Sequence, residues 1–150
     1  MKIKTISKIN RSQCHNATGL VVVIDVIRAF TTAAFAFHKG AKKIIAVGTI
    51  EEALALKQQN SEYILLGEKG GYPIPGFQFG NSPVQIGKQD LKNKTLVQRT
   101  SSGTQGVVRS TLADHMLVSS FVVAEATYQR ILSLNPESVT FVITGQKSGG

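Results

Sequence analysis

The sequence has only one cysteine and no long apolar run, and each of these two features excludes a class of protein. A single cysteine cannot form an internal disulfide or a zinc site of several thiolates, so a disulfide-stabilised secreted scaffold is excluded. A membrane helix needs about 18 uninterrupted apolar residues, but Asp25 and Arg28 interrupt the longest candidate, residues 19–37. The first ten residues carry no apolar run typical of a signal peptide. We therefore expect a cytoplasmic protein that does not contact a membrane.

Acidic residues are also scarce, since 9 of them stand against 17 lysines and arginines and the formal net charge is +8. Positive charge attracts phosphate, whether on a nucleic acid or on a small molecule. The cations are scattered, however, and no basic stripe interleaved with aromatic residues is present. Solvated surface lysines are the favoured interpretation, and nucleic acid is not an expected partner. A non-catalytic domain that binds anions or nucleic acid stays an alternative, and homo-oligomer formation is left open.

Length and apolar content favour one folded domain, because 150 residues that are 42% hydrophobic can bury a substantial core. Short apolar or alternating runs predict strands at residues 2–9, 20–24, 43–47, 63–66, 95–100, 116–118 and 139–144. Helices are predicted at residues 29–38, after Thr49, after Ser82, and at residues 105–114 and 121–134. Strands separated by such helices predict a three-layer α/β/α sandwich with a mostly parallel sheet.

Two segments depart from this regular alternation. Residues 69–82 are rich in glycine and proline, which predicts a long loop, and long ordered loops usually carry function. The last predicted strand is followed by a short polar tail from Gly145, where an α/β fold normally continues into a covering helix. We therefore expect residues 1–150 to form a single domain that is the N-terminal part of a longer chain.

Polar residues directly follow three of the predicted strands. Asp25 follows residues 20–24, Glu68 comes soon after residues 63–66, and a Thr-Ser-Ser-Gly-Thr turn ends the strand around Val97. Ligands of open parallel sheets bind beyond the carboxyl ends of the strands. The sequence therefore predicts that two carboxylates and a hydroxyl-rich turn meet at one edge of the sheet.

Each of these residues also has a purely structural interpretation. Asp25 follows five apolar residues, and a buried carboxylate must be paired or must coordinate a metal. It either caps the next helix or pairs with Arg28, or it binds Mg²⁺ with Glu68 as the second ligand while Arg28 holds an anion. The turn at residues 100–104 and the Asn81-Ser82 pair could likewise be caps alone or ligand contacts.

Several phosphate-handling motifs are missing from the sequence. No G-x-x-x-x-G-K-[ST] run is present, and no G-x-G-x-x-G follows a predicted strand, so the common nucleotide-binding loops are excluded. Ile27 occupies the position where aspartyl-phosphate hydrolases carry a second aspartate after Asp25. Leu20 stands six residues after Cys14, where the loop of a thiol phosphatase needs an arginine.

Four motifs together resemble the 2-phosphosulfolactate phosphatase family: Val-Ile-Asp-Val-Ile-Arg-Ala-Phe-Thr-Thr from Val23, Leu-Gly-Glu from Leu66, Gly-Phe-Gln-Phe-Gly-Asn-Ser-Pro from Gly76, and Thr-Ser-Ser-Gly-Thr from Thr100. The resemblance implies an α/β/α fold and Mg²⁺-dependent hydrolysis of 2-phospho-3-sulfolactate, a small anionic phosphate ester on the route to coenzyme M, to 3-sulfolactate and phosphate. It implies catalytic roles for Asp25, Arg28 and Glu68, with Asp25 and Glu68 as the metal ligands. It implies substrate binding by Asn81, Ser82, Thr100, Ser101, Ser102, Gly103 and Thr104.

The sequence departs from the family pattern at two places. The family turn often reads Thr-Thr-Asn-Gly-Thr, whereas Ser101 and Ser102 replace the second threonine and the asparagine here. Family members also continue past the equivalent of Gly145 into an acidic segment. A related phosphomonoesterase with another small anionic substrate is therefore an alternative, and weakened or absent activity is expected of this chain. For the nucleophile we favour a metal-activated water over a covalent Asp25 intermediate.

Overall fold

Strands and helices alternate along residues 3–145, which is the part of the protein that the computed structural model describes. The strands are β1 Thr5–Asn10, β2 Gly19–Ile24, β3 Lys43–Ala46, β4 Ile64–Gly67, β5 Phe79–Gly80, β6 Thr95–Arg99, β7 Ala113–Ser119 and β8 Ser138–Ile143. The α-helices are α1 Ala29–His38, α2 Ile50–Gln59, α3 Pro83–Gly87, α4 Gly103–Arg109 and α5 Ala124–Leu134. Two 3₁₀ helices follow β1 and β7, at Arg11–Asn16 and Phe121–Val123. The predicted polar tail lies outside the described residues from position 146 onward.

The strands form two four-stranded sheets, and every named strand pair is parallel. The strand order is β1-β8-β2-β7 in the first sheet and β3-β6-β4-β5 in the second. The predicted α/β class and the parallel arrangement are confirmed. The sequence pattern alone predicted one sheet, because an apolar run shows that a strand is buried but does not show which strand lies beside it.

The central strand β2 of the first sheet is buried on both faces, which explains its β-branched run. Val21 and Val23 pack with Phe30 of α1 on one side of the sheet. Val22 packs with Ile131 of α5 on the other side. Alternate residues of a strand point to opposite faces, so a strand between two helical layers must be apolar at every position. Burying each valine stabilises the fold by roughly 1.5–3 kcal/mol.

Helix α1 lies between the two sheets and joins their cores. Its Ala33 belongs to the cluster around β2, whereas Ala36 packs with Leu66 of β4 and Leu96 of β6. Small alanine side chains let the helix approach both sheets closely. The Ala-rich composition of this segment is therefore a packing requirement as well as a helix signal.

Two predicted helix starts are confirmed by their capping contacts. Thr49 Oγ1 accepts the N–H of Glu52 at 3.1 Å, and Glu52 Oε2 accepts the N–H of Thr49 at 3.1 Å, which forms a capping box at α2. Ser82 Oγ accepts the N–H of Gln85 at 3.3 Å, with proline at the first position of α3. The longest α-helix in the described part has 11 residues, and none there is long and apolar enough to cross a bilayer.

The predicted helix at residues 105–114 is displaced in the structure. Helix α4 begins at Gly103 and ends at Arg109, and Asp114 belongs to β7 instead. The hydroxyl of Ser110 donates to the carbonyl of Gly106 at 2.7 Å and closes the helix. The following residues pair with β2 along its whole length, so the ladder of the sheet outweighs the helical pattern there.

Gly67 is required where β4 passes β6. Its φ is +147°, and a Cβ at this position would overlap the carbonyl oxygen of Arg99. We predict that Gly67→Ala lowers the free energy of unfolding by about 3 kcal/mol or more, because β6 must move to admit the methyl group. Urea denaturation measures the change.

Gly48→Ala is the matched control for this substitution. A Cβ at Gly48 lies at ordinary contact distance, 3.4 Å from Val108 Cγ2. Its effect should stay below about 1 kcal/mol. Equal losses in the two variants would show that the close approach of β4 to β6 does not constrain position 67.

Candidate active site

A polar cleft of about 360 Å³ lies at the carboxyl ends of strands from both sheets. Asp25 reaches it from the end of β2 in the first sheet, and Glu68 reaches it from the end of β4 in the second. The cleft is lined by Arg11, Asp25, Ile27, Arg28, Glu68, Gly70, Gly71, Asn81, Ser101, Ser102 and Gly145. The structure thus brings together the two carboxylates and the serine turn whose meeting the strand ends predict.

The Glu68 side chain accepts three hydrogen bonds in the cleft, and 8% of the residue's surface is exposed. Its Oε1 accepts the N–H of Ser101 at 2.6 Å, and its Oε2 accepts the N–H of Gly71 at 2.6 Å and the hydroxyl of Ser101 at 3.1 Å. The N–H of Gly70 donates in turn to Ser101 Oγ at 2.8 Å. The carboxylate therefore ties the loop after β4 to the turn after β6 through short, charge-assisted bonds.

Asp25 is buried, with 4% exposure, and it caps α1. Its Oδ1 accepts the N–H of Ala29 at 3.1 Å, and its Oδ2 lies 3.2 Å from the hydroxyl of Thr144, which is closer, at 2.9 Å, to the carbonyl of Ile24. The capping interpretation is therefore correct, whereas no ion pair with Arg28 is formed among residues 3–145. Each carboxylate oxygen has a second lone pair, so the cap leaves Asp25 able to bind a ligand.

Gly103 permits the start of α4 to approach this carboxylate. A Cβ at position 103 would lie 2.6 Å from the Cβ of Ala29 and 2.9 Å from Asp25 Oδ2. Such distances are shorter than carbon and oxygen atoms tolerate. Gly103 itself is buried and does not line the cleft. Its part in the site is therefore to make room for Asp25.

Thr100 and Thr104 support the turn from behind the cleft. Thr104 Oγ1 accepts the N–H of Thr100 at 2.8 Å, and Thr100 Oγ1 accepts the N–H of Thr104 at 3.0 Å. Both residues are buried, and neither lines the cleft. Ser82 also lies outside the lining, since its hydroxyl caps α3. Of the residues predicted to bind substrate, those that line the cleft are Asn81, Ser101 and Ser102.

Asn81 brings an unused acceptor to the cleft. The residue is 6% exposed, and its Oδ1 is buried without a hydrogen-bond partner among the residues that the structure describes. Leaving a buried acceptor unpaired costs about 1–3 kcal/mol. A buried oxygen of this kind in a cleft wall is a candidate contact for a bound ligand.

Arg11 is a cleft residue that the sequence did not single out. It begins the 3₁₀ helix after β1, and its Nη1 donates to the Ser101 carbonyl at 2.7 Å and to Ser102 Oγ at 2.8 Å. The rule that located Asp25, a polar residue directly after a strand, could have found Arg11 as well, since β1 ends at Asn10. The other lining residues that sequence reasoning missed are Ile27, Gly70, Gly71 and Gly145.

The cleft contains carboxylate and amide oxygens, which are the ligands that a hard cation such as Mg²⁺ prefers. Within residues 3–145 no group of three or more His, Cys, Asp or Glu residues could hold a metal. Mg²⁺ needs less than that, because it binds through one or two carboxylates and completes its shell with water and substrate phosphate. The carboxylates of Asp25 and Glu68 and the amide oxygen of Asn81 fit this requirement.

The fold and the cleft define an α/β protein with a polar ligand site at the carboxyl ends of parallel strands. The family model of 2-phosphosulpholactate phosphatase matches residues 4–149. The chain therefore belongs to this family, and the resemblance carried by the four motifs is confirmed.

Relatives of the chain bear the same name. It is 42% identical over 113 residues to the probable 2-phosphosulfolactate phosphatase of Bacillus subtilis (strain 168). These 113 residues are 75% of this chain and 50% of that protein. The similarly named protein of Carboxydothermus hydrogenoformans is 42% identical over 119 residues, or 79% of this chain and 49% of the relative. The probable 2-phosphosulfolactate phosphatase of Deinococcus radiodurans is 35% identical over 127 residues, which are 84% of this chain and 53% of the relative. The chain thus spans about half the length of these relatives.

Glu68→Gln tests whether the carboxylate holds the cleft together. The substitution replaces one oxygen with an NH₂ group, which must face an N–H donor of Gly71 or Ser101. We predict a loss of about 3 kcal/mol in the free energy of unfolding, because hydrogen bonds to a charged acceptor are broken and a donor is left unpaired. Denaturant titration followed by circular dichroism measures this loss.

Glu62→Gln removes a carboxylate of the same type from the surface, where it lies 3.7 Å from Lys94. An exposed ion pair contributes at most about 1 kcal/mol, so this control should remain close to the parent protein. A Glu68→Gln variant as stable as the control would mean that the bonds to Ser101 and Gly71 do not support the fold.

Proposed function

We propose that the cleft binds a small phosphate ester and that the whole protein is a Mg²⁺-dependent phosphatase. In this proposal it hydrolyses 2-phospho-3-sulfolactate to 3-sulfolactate and phosphate, in the cytoplasm and on the route to coenzyme M. The observation that carries the proposal is the convergence of Asp25, Glu68 and Asn81 with Arg28 in one cleft. Membership of the phosphatase family and the names of the relatives support the choice of substrate.

The acidic side of the cleft would hold the metal ion. Asp25 and Glu68 would bind Mg²⁺ through the lone pairs that their protein hydrogen bonds leave free, and Asn81 Oδ1 would contribute to the same shell. When bound, Mg²⁺ supplies Lewis-acid stabilisation of the negative charge on the phosphoryl oxygens. The hydrogen bonds from Ala29, Gly71 and Ser101 keep the carboxylates oriented before the ligand arrives.

The basic side of the cleft would hold the phosphoryl group. Arg28 is exposed and lines the cleft, and its planar guanidinium can bind two phosphoryl oxygens together. Ser102 brings a hydroxyl hydrogen to the same wall, since its Oγ only accepts from Arg11, whereas the Ser101 hydroxyl already donates to Glu68. Preorganised donors of this kind stabilise charge that develops in the transition state without further reorganisation.

Water is the nucleophile in this proposal, in preference to Asp25. The Oδ1 of Asp25 already accepts the Ala29 N–H and caps α1 through the negative charge of the carboxylate. An attack by this carboxylate would neutralise that charge, weaken the cap and use a lone pair that the proposal assigns to Mg²⁺. A water molecule has no such constraint, and it leaves the cap intact throughout the reaction.

Asp25→Asn tests the mechanism. Phosphate release from 2-phospho-3-sulfolactate should require added Mg²⁺, should stop on chelation, and should fall about 1000-fold or more in the variant, since a charged metal ligand is lost. Asp114→Asn is the matched control, because Asp114 is exposed on β7 and does not line the cleft. Its activity should equal that of the parent protein, whereas full activity of Asp25→Asn would overturn the mechanism.

A panel of phosphate monoesters separates this activity from its alternatives. Rapid hydrolysis of esters that lack a sulfonate, with little release from 2-phospho-3-sulfolactate, would assign a related phosphomonoesterase, as the Ser101-Ser102 departure allows. Absence of release from every ester, combined with salt-sensitive retention on DNA or RNA, would favour the non-catalytic alternative.

A further inference from the structure

Arg11 is a fixed cation whose role the proposed mechanism leaves open. It is half-buried at the start of the 3₁₀ helix, and two bonds of 2.7 and 2.8 Å hold its Nη1 against the turn after β6. The backbone around it is anchored as well, since Asn10 Oδ1 accepts the N–H of Ser12 at 3.0 Å. Cys14 of the same helix is 1% exposed and packs in the core cluster around β2.

The charge of this guanidinium is not neutralised by the protein. Both of its acceptors, a carbonyl and a hydroxyl, are neutral, and no carboxylate within residues 3–145 forms an ion pair with it. Only Nη1 is engaged with described residues, and Nε and Nη2 are not among the buried unpaired atoms. An arginine carries five N–H donors, so those on Nε and Nη2 remain for a ligand.

The cleft therefore has two cations in different places. Arg28 comes from the residue before α1, whereas Arg11 is bound to the serine turn after β6. One phosphoryl group that is held by Mg²⁺ and by Arg28 does not need a second arginine. A cation that is positioned, uncompensated and supplied with free donors indicates a second negative group on the ligand.

We propose that Arg11 binds an anionic group of the substrate other than the phosphate, either its sulfonate or its carboxylate, and thereby selects phosphate esters that carry such a group. This inference rests on the proposed function, since it assumes that a phosphate ester occupies the cleft. The guanidinium fork matches two oxygens of such a group, and its bonds to Ser101 and Ser102 fix the distance from the serine turn.

Binding of the two products separately tests the role of Arg11. Calorimetry with Mg²⁺ present measures the affinity for 3-sulfolactate, which carries both the sulfonate and the carboxylate, and for inorganic phosphate, which carries neither. Because neither product is hydrolysed, the measurement does not depend on turnover. In Arg11→Gln the affinity for 3-sulfolactate should fall roughly tenfold or more, while the affinity for phosphate should change less than about twofold.

Two further variants separate ligand binding from support of the turn. Ser102→Ala removes one acceptor of Arg11 but keeps the guanidinium. It should therefore lower the affinity for 3-sulfolactate less than Arg11→Gln does. Arg130→Gln removes an exposed arginine of α5 outside the cleft and should change neither affinity. A steady-state readout complements these measurements: Arg11→Gln should raise KM for 2-phospho-3-sulfolactate but not for isopropyl phosphate, which lacks a second anion.

The outcomes distinguish this inference from the proposed function. Equal weakening of both products in Arg11→Gln, or no weakening of 3-sulfolactate, overturns the inference and leaves the phosphatase proposal standing. If the parent protein binds phosphate but not 3-sulfolactate, the inference about Arg11 is likewise overturned and the phosphatase proposal still stands. If the parent protein binds neither product and releases no phosphate, the proposed function itself fails, and the inference fails with it.

Discussion

The bonds that the Glu68 carboxylate makes to two backbone segments are the interaction on which the cleft depends. One oxygen holds the N–H of Ser101, and the other holds the N–H of Gly71 and the Ser101 hydroxyl. Since Arg11 is bound to the same turn, the position of this cation also follows from Glu68. A single buried charge thus orders three segments that are far apart in sequence. Such a charge is tolerated because both of its oxygens accept hydrogen bonds.

Ala29 is the point where the two sheets are joined near the cleft. Its N–H donates to Asp25, which follows β2 of the first sheet, and its carbonyl accepts the side-chain amide of Gln98 at 2.9 Å from β6 of the second sheet. Gln98 is 2% exposed, so this bond is shielded from water. Both polar groups of one residue are therefore used to set the distance between the two halves of the site. The packing of α1 against both cores gives the same constraint through apolar contacts.

The sequence predicted the parts of this structure that depend on local pattern. Neighbouring residues determine the bounds of α1 and the caps at Thr49 and Ser82. They also determine that Asp25 and Glu68 come after strands. The division into two sheets does not, because it depends on strand pairing between distant segments. The inward orientation of Thr100 depends in the same way on tertiary contacts, here its reciprocal bonds with Thr104. A hydroxyl-rich turn predicts a set of donors and acceptors, but only the fold decides which of them are already satisfied.

Polar groups that already have hydrogen-bond partners in the protein support the fold of the cleft, whereas polar groups without partners are available to bind a ligand. Thr100 and Thr104 satisfy each other, and Glu68 accepts three hydrogen bonds from Gly71 and Ser101, so these residues stabilise the protein without help from a ligand. Asn81 Oδ1 has no partner in the described residues, and Arg11 keeps donors free beside neutral acceptors. A ligand that coordinates the first and pairs with the second gains interactions that the protein alone does not make. The free energy of binding should therefore include new contacts at the acceptor and at the cation, in addition to those that the carboxylates would make with Mg²⁺.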